Sequence, residues 1–305
     1  MRLSTPLLAL LTAACLAGGC AATGNSAVEE NWVQTPDGVL LAYRKLGSGP
    51  ETLIVPGLSW VADDMRQLAQ GRTVIFYDPR GRGRSDARPT TDIERDLADL
   101  EALRSWFGLE RFALLGEDYN GALAAQYALE NPQRVIGLVL VSPIPLTKFP
   151  HWKVYTRVFA EHQDEGTLEA LNAMKRDGLQ RKDPEAWALT YGRLLLEGWA
   201  RDPAAVRAMK SRPFVPPNQD PELQISRYFD MLRSWGDWDW RAAMAGVACP
   251  TLVVYGDSDP MPVPASEEWA AVIPRGSTHV VRRSGRLPWI ENPGDFFGAV
   301  NRFLQ

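Results

Sequence analysis

An aspartate lies at a tight turn near the middle of the chain, where its side chain could act as a nucleophile. In LLGEDYNGALAAQYALENP (residues 114–132), an apolar run predicts a buried strand, the small residues after it predict a helix, and Asp118 lies between the two. A carboxylate is ionised at pH 7, so its attack on an electrophilic carbon would need no base. Aspartate also adopts a left-handed backbone more readily than most residues, which suits such a turn.

The elements around Asp118 predict an α/β fold. The segment WVQTPDGVLLAYRKLG predicts a β-hairpin, because two strand-like runs flank a Pro-Asp-Gly turn. Continuous apolar runs predict buried strands at residues 52–57, 73–78, 112–117 and 135–143, within 249–260, and at 279–284. Helical patterns alternate with them, at residues 60–70, 91–107, 120–131 and 264–272 and from about 294. Such strands and helices indicate a mostly parallel central sheet with helices on both faces.

Residues 146–246 interrupt this alternation. They are helical and polar in pattern, with prolines concentrated in RPFVPPNQDPE. We therefore expect one α/β domain, formed by residues 31–145 and 247–305, that is split by a helical insertion long enough to be a domain of its own. Outside the insertion, the helix predicted at residues 91–107 has an apolar stripe on one face. The stripe is formed by Ile93, Leu97, Leu100, Leu103 and Trp106.

Several segments, in this order, resemble the α/β-hydrolase superfamily. They are DGVLLAYRKLGSGP, FYDPRGRGRSD, LRSWFGLERFALLGEDYNGALAAQYALENPQRVIGLVLVSP, CPTLVVYGDSDP and GRLPWIENPGDF. The prolyl-iminopeptidase-like group is the most similar, with epoxide hydrolases and haloalkane dehalogenases as more distant relatives. The resemblance implies an α/β-hydrolase fold in which residues 146–246 form a helical cap over the active site.

The resemblance also implies where the catalytic residues would lie. The family turn G-x-S-x-G reads GEDYN here, so Asp118 replaces the serine and Asn120 replaces the second glycine. Asp259, in GDSDP, occupies the position of the family's acid. The family motif G-H-x-P-x-x-E-x-P reads GRLPWIENP, so Arg286 replaces the histidine. A guanidinium has a pKa above about 12 and cannot serve as a general base at pH 7.

The position of the family's oxyanion hole is altered as well. Pro56 and Gly57 replace a His-Gly pair, while the backbone amides of Leu58 and Tyr119 remain candidate donors to a ligand oxygen. The three histidines, His151, His162 and His279, are expected to be surface or packing residues, because two fall in the insertion and His279 lies several residues before the base position.

Two hypotheses follow from these substitutions. In the first, Arg286 lies between Asp118 and Asp259 as a carboxylate–guanidinium–carboxylate network, and the inert fold binds a small hydrophobic or amphipathic ligand under the cap. Six tryptophans of the insertion could contribute to that site or to packing: Trp152, Trp187, Trp199, Trp235, Trp238 and Trp240. In the second, the protein is an active hydrolase of esters, aminoacyl amides, epoxides or haloalkanes, with Asp118 as nucleophile and a non-standard base.

Other kinds of site are not indicated. The loop PRGRGRSD is rich in arginine and glycine, but in this family Gly81 and Gly83 serve its turn and Asp78 and Arg80 are structural, so we do not predict a phosphate site. No spacing typical of metal ligands occurs, and we expect neither a metal nor a cofactor. The formal net charge of −4, with no long basic run, argues against nucleic acid as a partner.

The first residues predict export. MRLSTPLLALLTAACLAGGC has an early arginine, an apolar stretch and small residues, so residues 1–19 are expected to be a signal peptide. LAGGC resembles a bacterial lipobox and makes Cys20 the expected lipid site, with Cys15 as a weaker candidate. Residues 20–30 would then be a tether to a membrane of the bacterial cell envelope. The alternative is ordinary cleavage near Ala21 or Ala22, which gives a soluble periplasmic or secreted protein.

Overall fold

The strands of the computed structural model form one central sheet. The structure describes residues 28–87, 92–161, 165–213 and 220–305, so the predicted signal peptide, both candidate lipid sites and His162 lie outside the described residues. The described strands are β1 (Glu29–Gln34), β2 (Leu40–Leu46), β3 (Thr52–Pro56), β4 (Thr73–Tyr77), β5 (Phe112–Glu117), β6 (Val135–Val141), β7 (Thr251–Gly256) and β8 (Gly276–Val281). Their order in the sheet is β1-β2-β4-β3-β5-β6-β7-β8.

In the order of the sheet, the described strands are parallel from β4 to β8, whereas β1 pairs antiparallel with β2 and β2 pairs antiparallel with β4. Successive side chains of one strand point to opposite faces of the sheet. In β4, for example, Ile75 and Tyr77 belong to one apolar core cluster, and Val74 and Phe76 belong to the other. Because both faces are covered, the inner strands β3, β4, β5, β6 and β7 are mostly apolar and buried, as the sequence predicts for an α/β fold, whereas the edge strands β1 and β8 are more polar and exposed.

Helices cover both faces of this sheet. Two of them, α1 (Ile93–Trp106) and α2 (Tyr119–Glu130), precede the insertion. The insertion between β6 and β7 contains α3 (His151–Glu161), α4 (Glu165–Arg176), α5 (Leu179–Lys182), α6 (Pro184–Glu197), α7 (Pro203–Arg207), α8 (Pro221–Ser234) and α9 (Arg241–Met244). The last helices are α10 (Val263–Val272), α11 (Pro288–Glu291) and α12 (Pro293–Phe303).

Three helices of the insertion begin with the same dipeptide, Asp-Pro. Asp183, Asp202 and Asp220 each accept a hydrogen bond from a backbone amide in the first turn of the helix that follows, and a proline takes the first helical position. The aspartate satisfies an amide that the helix leaves without a partner, and proline lacks an amide hydrogen that would need one. The polar, proline-containing sequence of the insertion is therefore compatible with its short helices.

The bounds of several elements differ from the sequence prediction, most clearly near the chain start, in β8 and after β3. Strand β1 begins at Glu29, inside the predicted tether, because Glu29 and Glu30 form ion pairs with Lys45 and Arg44 of β2 at 2.5 and 2.8 Å. Strand β8 ends at Val281 rather than at residue 284, and His279 lies within it. Residues 60–70 form two separate 3-10 turns, at residues 59–61 and 66–69, rather than one helix.

The buried face of α1 also differs from the predicted stripe. Trp106 is exposed, and Phe107 instead packs edge-on against Tyr43, with ring centroids 5.0 Å apart. Asp96 and Asp99 are fully buried on this helix beside Leu100 and Leu103. They are buried because arginines of the loop after β4 approach the same face and supply opposite charges.

Candidate functional site

Asp118 lies at a strained turn between β5 and α2. Its backbone has φ 52° and ψ −121°, a conformation that is costly for a residue with a side chain. The turn is tight: a Cβ added to Gly116 would lie 2.1 Å from the backbone oxygen of Asn120, so only glycine fits there. The Asp118 amide donates to the Val141 carbonyl at 3.2 Å, which fastens the turn to the end of β6.

Arg286 lies between Asp118 and Asp259. Its Nη1 donates to Asp259 Oδ1 at 3.2 Å, and its Nη2 donates to Asp118 Oδ1. The side chains of Arg286 and Asp259 are each 1% exposed, and that of Asp118 is 17% exposed. Burial lowers the pKa of Arg286, but the carboxylates of Asp259 and Asp118 outweigh this effect and raise the pKa well above its ordinary value. The structure therefore brings the three triad positions together around a permanent cation.

The loop that carries Arg286 is fastened to the insertion. The Arg286 amide donates to the Trp199 carbonyl at 3.0 Å. Glu291 accepts hydrogen bonds on both sides of this junction, from the amide of Gly285 at 2.7 Å and from those of Arg201 and Asp202 at 2.7 and 3.0 Å. In the sequence, Glu291 stands out only as part of the motif GRLPWIENP. Its place in that motif is the signal that could have marked it as a residue that fixes the loop.

Aromatic residues of the insertion cover the network. The Tyr155 ring lies 5.3 Å from the Arg286 guanidinium, in the geometry of a cation–π contact. Tyr155 packs on Trp152, and Trp152 packs edge-on against Trp238, with ring centroids 5.2 and 5.8 Å apart. Burial and then the Asp118 carboxylate raise the pKa of Tyr228 well above its usual value, because its hydroxyl faces that carboxylate. Of the six tryptophans that we considered, Trp152 and Trp238 belong to this cover.

Glu117, beside Asp118, is a further acidic group at the site and was not among the residues predicted from the sequence. Burial and the neighbouring Asp118 carboxylate raise the pKa of Glu117 well above its ordinary value, although Arg286 opposes the shift. Glu117 is therefore a second acid whose electrostatics are linked to those of Asp118 and Arg286.

The two candidate oxyanion donors lie at the start of helical turns. Leu58 precedes the 3-10 turn at residues 59–61, and Tyr119 is the first residue of α2. The side chain of Asn120 packs against Gly57: a Cβ added to Gly57 would lie 2.3 Å from Asn120 Nδ2. The substitution of the second family glycine by Asn120 therefore fills space beside this loop, and the unusual pair of Gly57 and Asn120 is sterically matched.

Tyr119 carries a second set of contacts that leads away from Asp118. Its hydroxyl donates to Asp96, and the guanidinium of Arg82 lies 4.9 Å from its ring centroid. The ring also stacks on Trp235 of the insertion, with centroids 5.3 Å apart and an angle of 22° between the planes. Asp96 was missed from the sequence because its spacing on α1 reads as part of a solvated face.

The two described histidines pair with acids elsewhere. His151 Nε2 lies 3.9 Å from Glu268 Oε2, and His279 Nε2 lies 2.7 Å from Asp295 Oδ1. Among the described hydrogen bonds and ion pairs, neither histidine contacts Asp118. The histidines within the described ranges are therefore not placed to serve Asp118 as a base.

Metal-binding, membrane-spanning and cavity features do not add to this site. Within the described ranges, no three His, Cys, Asp or Glu side chains are grouped so as to hold a metal ion. Over the same part of the chain, no helix has both the length and the apolar character to cross a bilayer. A groove of about 550 Å³ follows α4, and a cavity of about 200 Å³ lies near the amino ends of β3 and β5; neither is lined by the Arg286 network.

Known proteins resemble the chain over most of its length. The family model of the α/β-hydrolase fold matches residues 55–293. A proline iminopeptidase of Heyndrickxia coagulans is 24% identical over 247 residues, which cover 79% of this chain and 84% of the relative. The 2-hydroxy-6-oxononadienedioate/2-hydroxy-6-oxononatrienedioate hydrolase 2 of Pseudomonas putida is 27% identical over 284 residues, covering 87% and 91% of the two chains.

Solved structures show the same fold. A thermophilic esterase from Thermogutta terrifontis superposes with a TM-score of 0.63 at 23% identity, over 90% of this chain and 98% of the esterase. A proline iminopeptidase of Mycobacterium smegmatis superposes with a TM-score of 0.60 at 21% identity, over 90% and 97% of the two chains. With the family model matched over most of its length, the chain belongs to the α/β-hydrolase-fold family.

Proposed function

We propose that this protein is a catalytically inert α/β-hydrolase-fold protein that binds a small hydrophobic or amphipathic ligand beneath its helical insertion. The observation that carries the proposal is the burial of Arg286 between Asp118 and Asp259, at the place where the family holds its base. In this proposal the three residues form a structural ion network, and residues 146–246 act as a cap.

The chemistry of the network supports an inert site. A general base must accept a proton at working pH, and a guanidinium with a pKa above about 12 would need roughly 7 kcal/mol or more to present its neutral form. The two carboxylates around Arg286 raise that cost further, because they favour its charged form. Arg286 also donates to Asp118 Oδ1, which occupies a lone pair that a nucleophile would use.

The surroundings of the network support an apolar ligand. Tyr155, Trp152 and Trp238 pack as a continuous aromatic cover contributed by the insertion. Ligand sites between domains are mostly apolar, with a few polar groups that orient the ligand. Here the partly exposed Asp118 carboxylate and the amides of Leu58 and Tyr119 would contact the polar end of the ligand.

Export and lipid attachment are part of the same proposal. The N-terminal pattern that ends at Cys20 supports a lipoprotein held at a membrane of the bacterial cell envelope. Expression of the full chain in bacteria, followed by metabolic labelling with a fatty acid, tests this. Label that is lost in Cys20→Ala and kept in Cys15→Ala supports attachment at Cys20. A released, unlabelled protein supports ordinary cleavage instead.

A second function is favoured by one observation. The strained backbone of Asp118 and its 17% exposed side chain are what a nucleophile at this turn would need. In that case an Asp118 oxygen would form a bond to a carbon of an epoxide or alkyl halide. With an epoxide, the ring carbon–oxygen bond would break, and the resulting alkoxide would stay on the same molecule and take a proton from water. With an alkyl halide, the carbon–halogen bond would break and a halide ion would leave. Arg286 could not then activate water to cleave the ester.

Intact-mass measurement separates the two functions. The mature protein is incubated with esters, aminoacyl amides, epoxides and haloalkanes, with Asp118→Asn as the matched control. The inert proposal expects neither product nor a covalent adduct, and saturable quenching of tryptophan fluorescence by amphipathic probes. An adduct that Asp118→Asn abolishes would establish the nucleophile, and steady turnover would refute the inert proposal outright.

A further inference from the structure

The cavity of about 200 Å³ lies at the amino edge of the sheet, whereas Asp118 follows the carboxyl end of β5. Ala113, in the wall of the cavity, precedes Asp118 by five residues, so the two are roughly 16 Å apart along the strand. The cavity is therefore separate from the Arg286 network. Its apolar walls come from β3, β5, β6 and the end of the last helix, and they include Leu53, Ala113, Ile136, Phe303 and Leu304.

An irregularity of the sheet lies in the wall of this cavity. The register between β5 and β6 shifts after Phe112, and Ile136 is an extra residue of β6. Such bulges are uncommon between parallel strands. The next residue, Gly137, also lines the cavity, and a Cβ added to it would lie 3.6 Å from the ring of Phe303. The bulge and the missing side chain leave space between β6 and α12.

Arg72 lines the same cavity and is a buried cation without an acidic partner. It is 6% exposed, and its Nη1 donates to the Leu68 carbonyl at 3.1 Å and to Asn301 Oδ1 at 2.6 Å. Both acceptors are neutral, and within the described ranges no carboxylate forms an ion pair with Arg72. Burial lowers the pKa of Arg72, and the charge of Glu51 opposes this shift. Arginine is rarely buried without an opposite charge, so this cavity lacks one.

We propose that the cavity binds a small carboxylate with an aromatic or branched apolar group, and that the ligand carboxylate pairs with Arg72. The apolar walls contact the hydrocarbon part of the ligand. The carboxylate supplies the charge that Arg80 and Arg286 receive from aspartates. A cavity of about 150 Å³ holds benzene, so one of about 200 Å³ suits benzoate. This site does not depend on whether the Asp118 site binds a ligand or reacts.

Glu51 also lines the cavity and opposes an anion there. It is exposed to solvent, and no ion pair joins it to Arg72 in the part of the chain that the structure describes. Water screens its charge more than that of the buried guanidinium, so the attraction of Arg72 for a carboxylate outweighs the repulsion. Removal of the Glu51 charge should therefore strengthen the binding of a carboxylate.

Isothermal titration calorimetry of the mature protein with benzoate tests the proposal, and benzyl alcohol is the uncharged analogue. Benzoate should bind the wild type more tightly than benzyl alcohol does. Arg72→Gln should weaken benzoate binding by about tenfold or more, which corresponds to the loss of a charged hydrogen bond, and should leave benzyl alcohol binding nearly unchanged. Glu51→Gln should tighten the binding of benzoate alone.

A variant that fills the cavity tests its location. The methyl group of Gly137→Ala would make ordinary contact with Phe303 at 3.6 Å, so the variant should fold, and it should weaken the binding of both compounds. Gly298→Ala is the matched control: no atom lies within 4 Å of an added Cβ there, so binding should match that of the wild type.

Three results would overturn the carboxylate site. One is the absence of benzoate binding to the wild type at millimolar concentration. Another is benzoate binding that Gly137→Ala does not weaken, which would place the ligand elsewhere. The third is equal affinity for benzoate and benzyl alcohol, which would show that Arg72 does not recognise the charge. If Arg72→Gln fails to fold, the two analogues and Gly137→Ala still decide the question.

Discussion

Arg80 and Arg286 are both buried arginines that bridge two aspartates, but they hold them in different ways. Arg80 donates two parallel hydrogen bonds to Asp99, from Nε at 2.8 Å and from Nη2 at 2.5 Å. Its Nη1 donates to Asp37 at 2.8 Å. Asp99 is fully buried, whereas the side chain of Asp37 is 57% exposed. The Arg80 network therefore uses the fork geometry in which arginine binds a carboxylate most strongly.

Arg286 makes one contact with each of its carboxylates. Its Nη1 and Nη2 go to different aspartates, and Asp259 Oδ2 is buried without a partner among the described residues. The motif resemblance implies that the two aspartates lie at positions around a histidine in the α/β-hydrolase family, and an imidazole is shorter than a guanidinium and binds through single nitrogens. A fork like that of Arg80 is therefore not required for the burial of an arginine, and Arg286 adapts to a spacing set by the turn and the strands.

Removal of either guanidinium should cause the largest loss of stability. Arg286→Ala leaves two carboxylates facing each other in a buried site and should lower the free energy of unfolding by about 3–5 kcal/mol. Arg80→Ala should cost at least as much, because Asp99 loses both of its fork contacts. Chemical denaturation measures both. A loss below about 1 kcal/mol for Arg286→Ala, the range of an exposed ion pair, would show that Arg286 is not structural.

Lysine substitutions should separate the fork from the two single contacts. A single ammonium keeps the charge but cannot reproduce two parallel bonds, so Arg80→Lys should cost about 1.5–3 kcal/mol, the value of one charged hydrogen bond. In Arg286→Lys, the single ammonium also loses its contact with one of the two carboxylates, so the cost in stability should lie in the same range. If Arg286→Lys were neutral while Arg80→Lys was costly, position 286 would need only a positive charge.

The aromatic cover over Arg286 should contribute less. Tyr155→Leu removes the ring that lies 5.3 Å from the guanidinium, and a buried cation–π contact is worth about 0.5–2 kcal/mol. Tyr155→Phe keeps the ring and is the matched control. Equal stability of the Leu and Phe variants would show that the ring contributes packing alone, and would remove one of the features that distinguish the Arg286 network from that of Arg80.

The sequence predicts the fold more completely than it predicts the contacts of the candidate site. Continuous apolar strands and motif order predict the sheet, because their causes are local. The sequence did not reveal the burial of Asp96 and Asp99, since an acid beside apolar residues on a helix usually faces solvent. It also did not reveal Tyr155 above Arg286 or the hydrogen bonds that Glu291 accepts from Arg201 and Asp202, because these contacts join segments far apart in the chain.

A third arginine–carboxylate group, at the surface, gives the smallest and most pH-dependent effect. Hydrogen bonds from Arg104 lower the pKa of Glu101 from 4.5 to about 2, and contacts with Arg134 and Tyr127 add to this. Since the folded pKa lies below the unfolded value, the stabilisation is present above about pH 4.5 and is lost as the pH falls towards 2. The side chain is 39% exposed, so solvent screening should limit the contribution to about 1 kcal/mol or less. Glu101→Gln should therefore be slightly less stable than the wild type at pH 7, and the difference should disappear towards pH 2. A difference that did not change with pH would mean that Glu101 stabilises the protein through packing rather than through its charge.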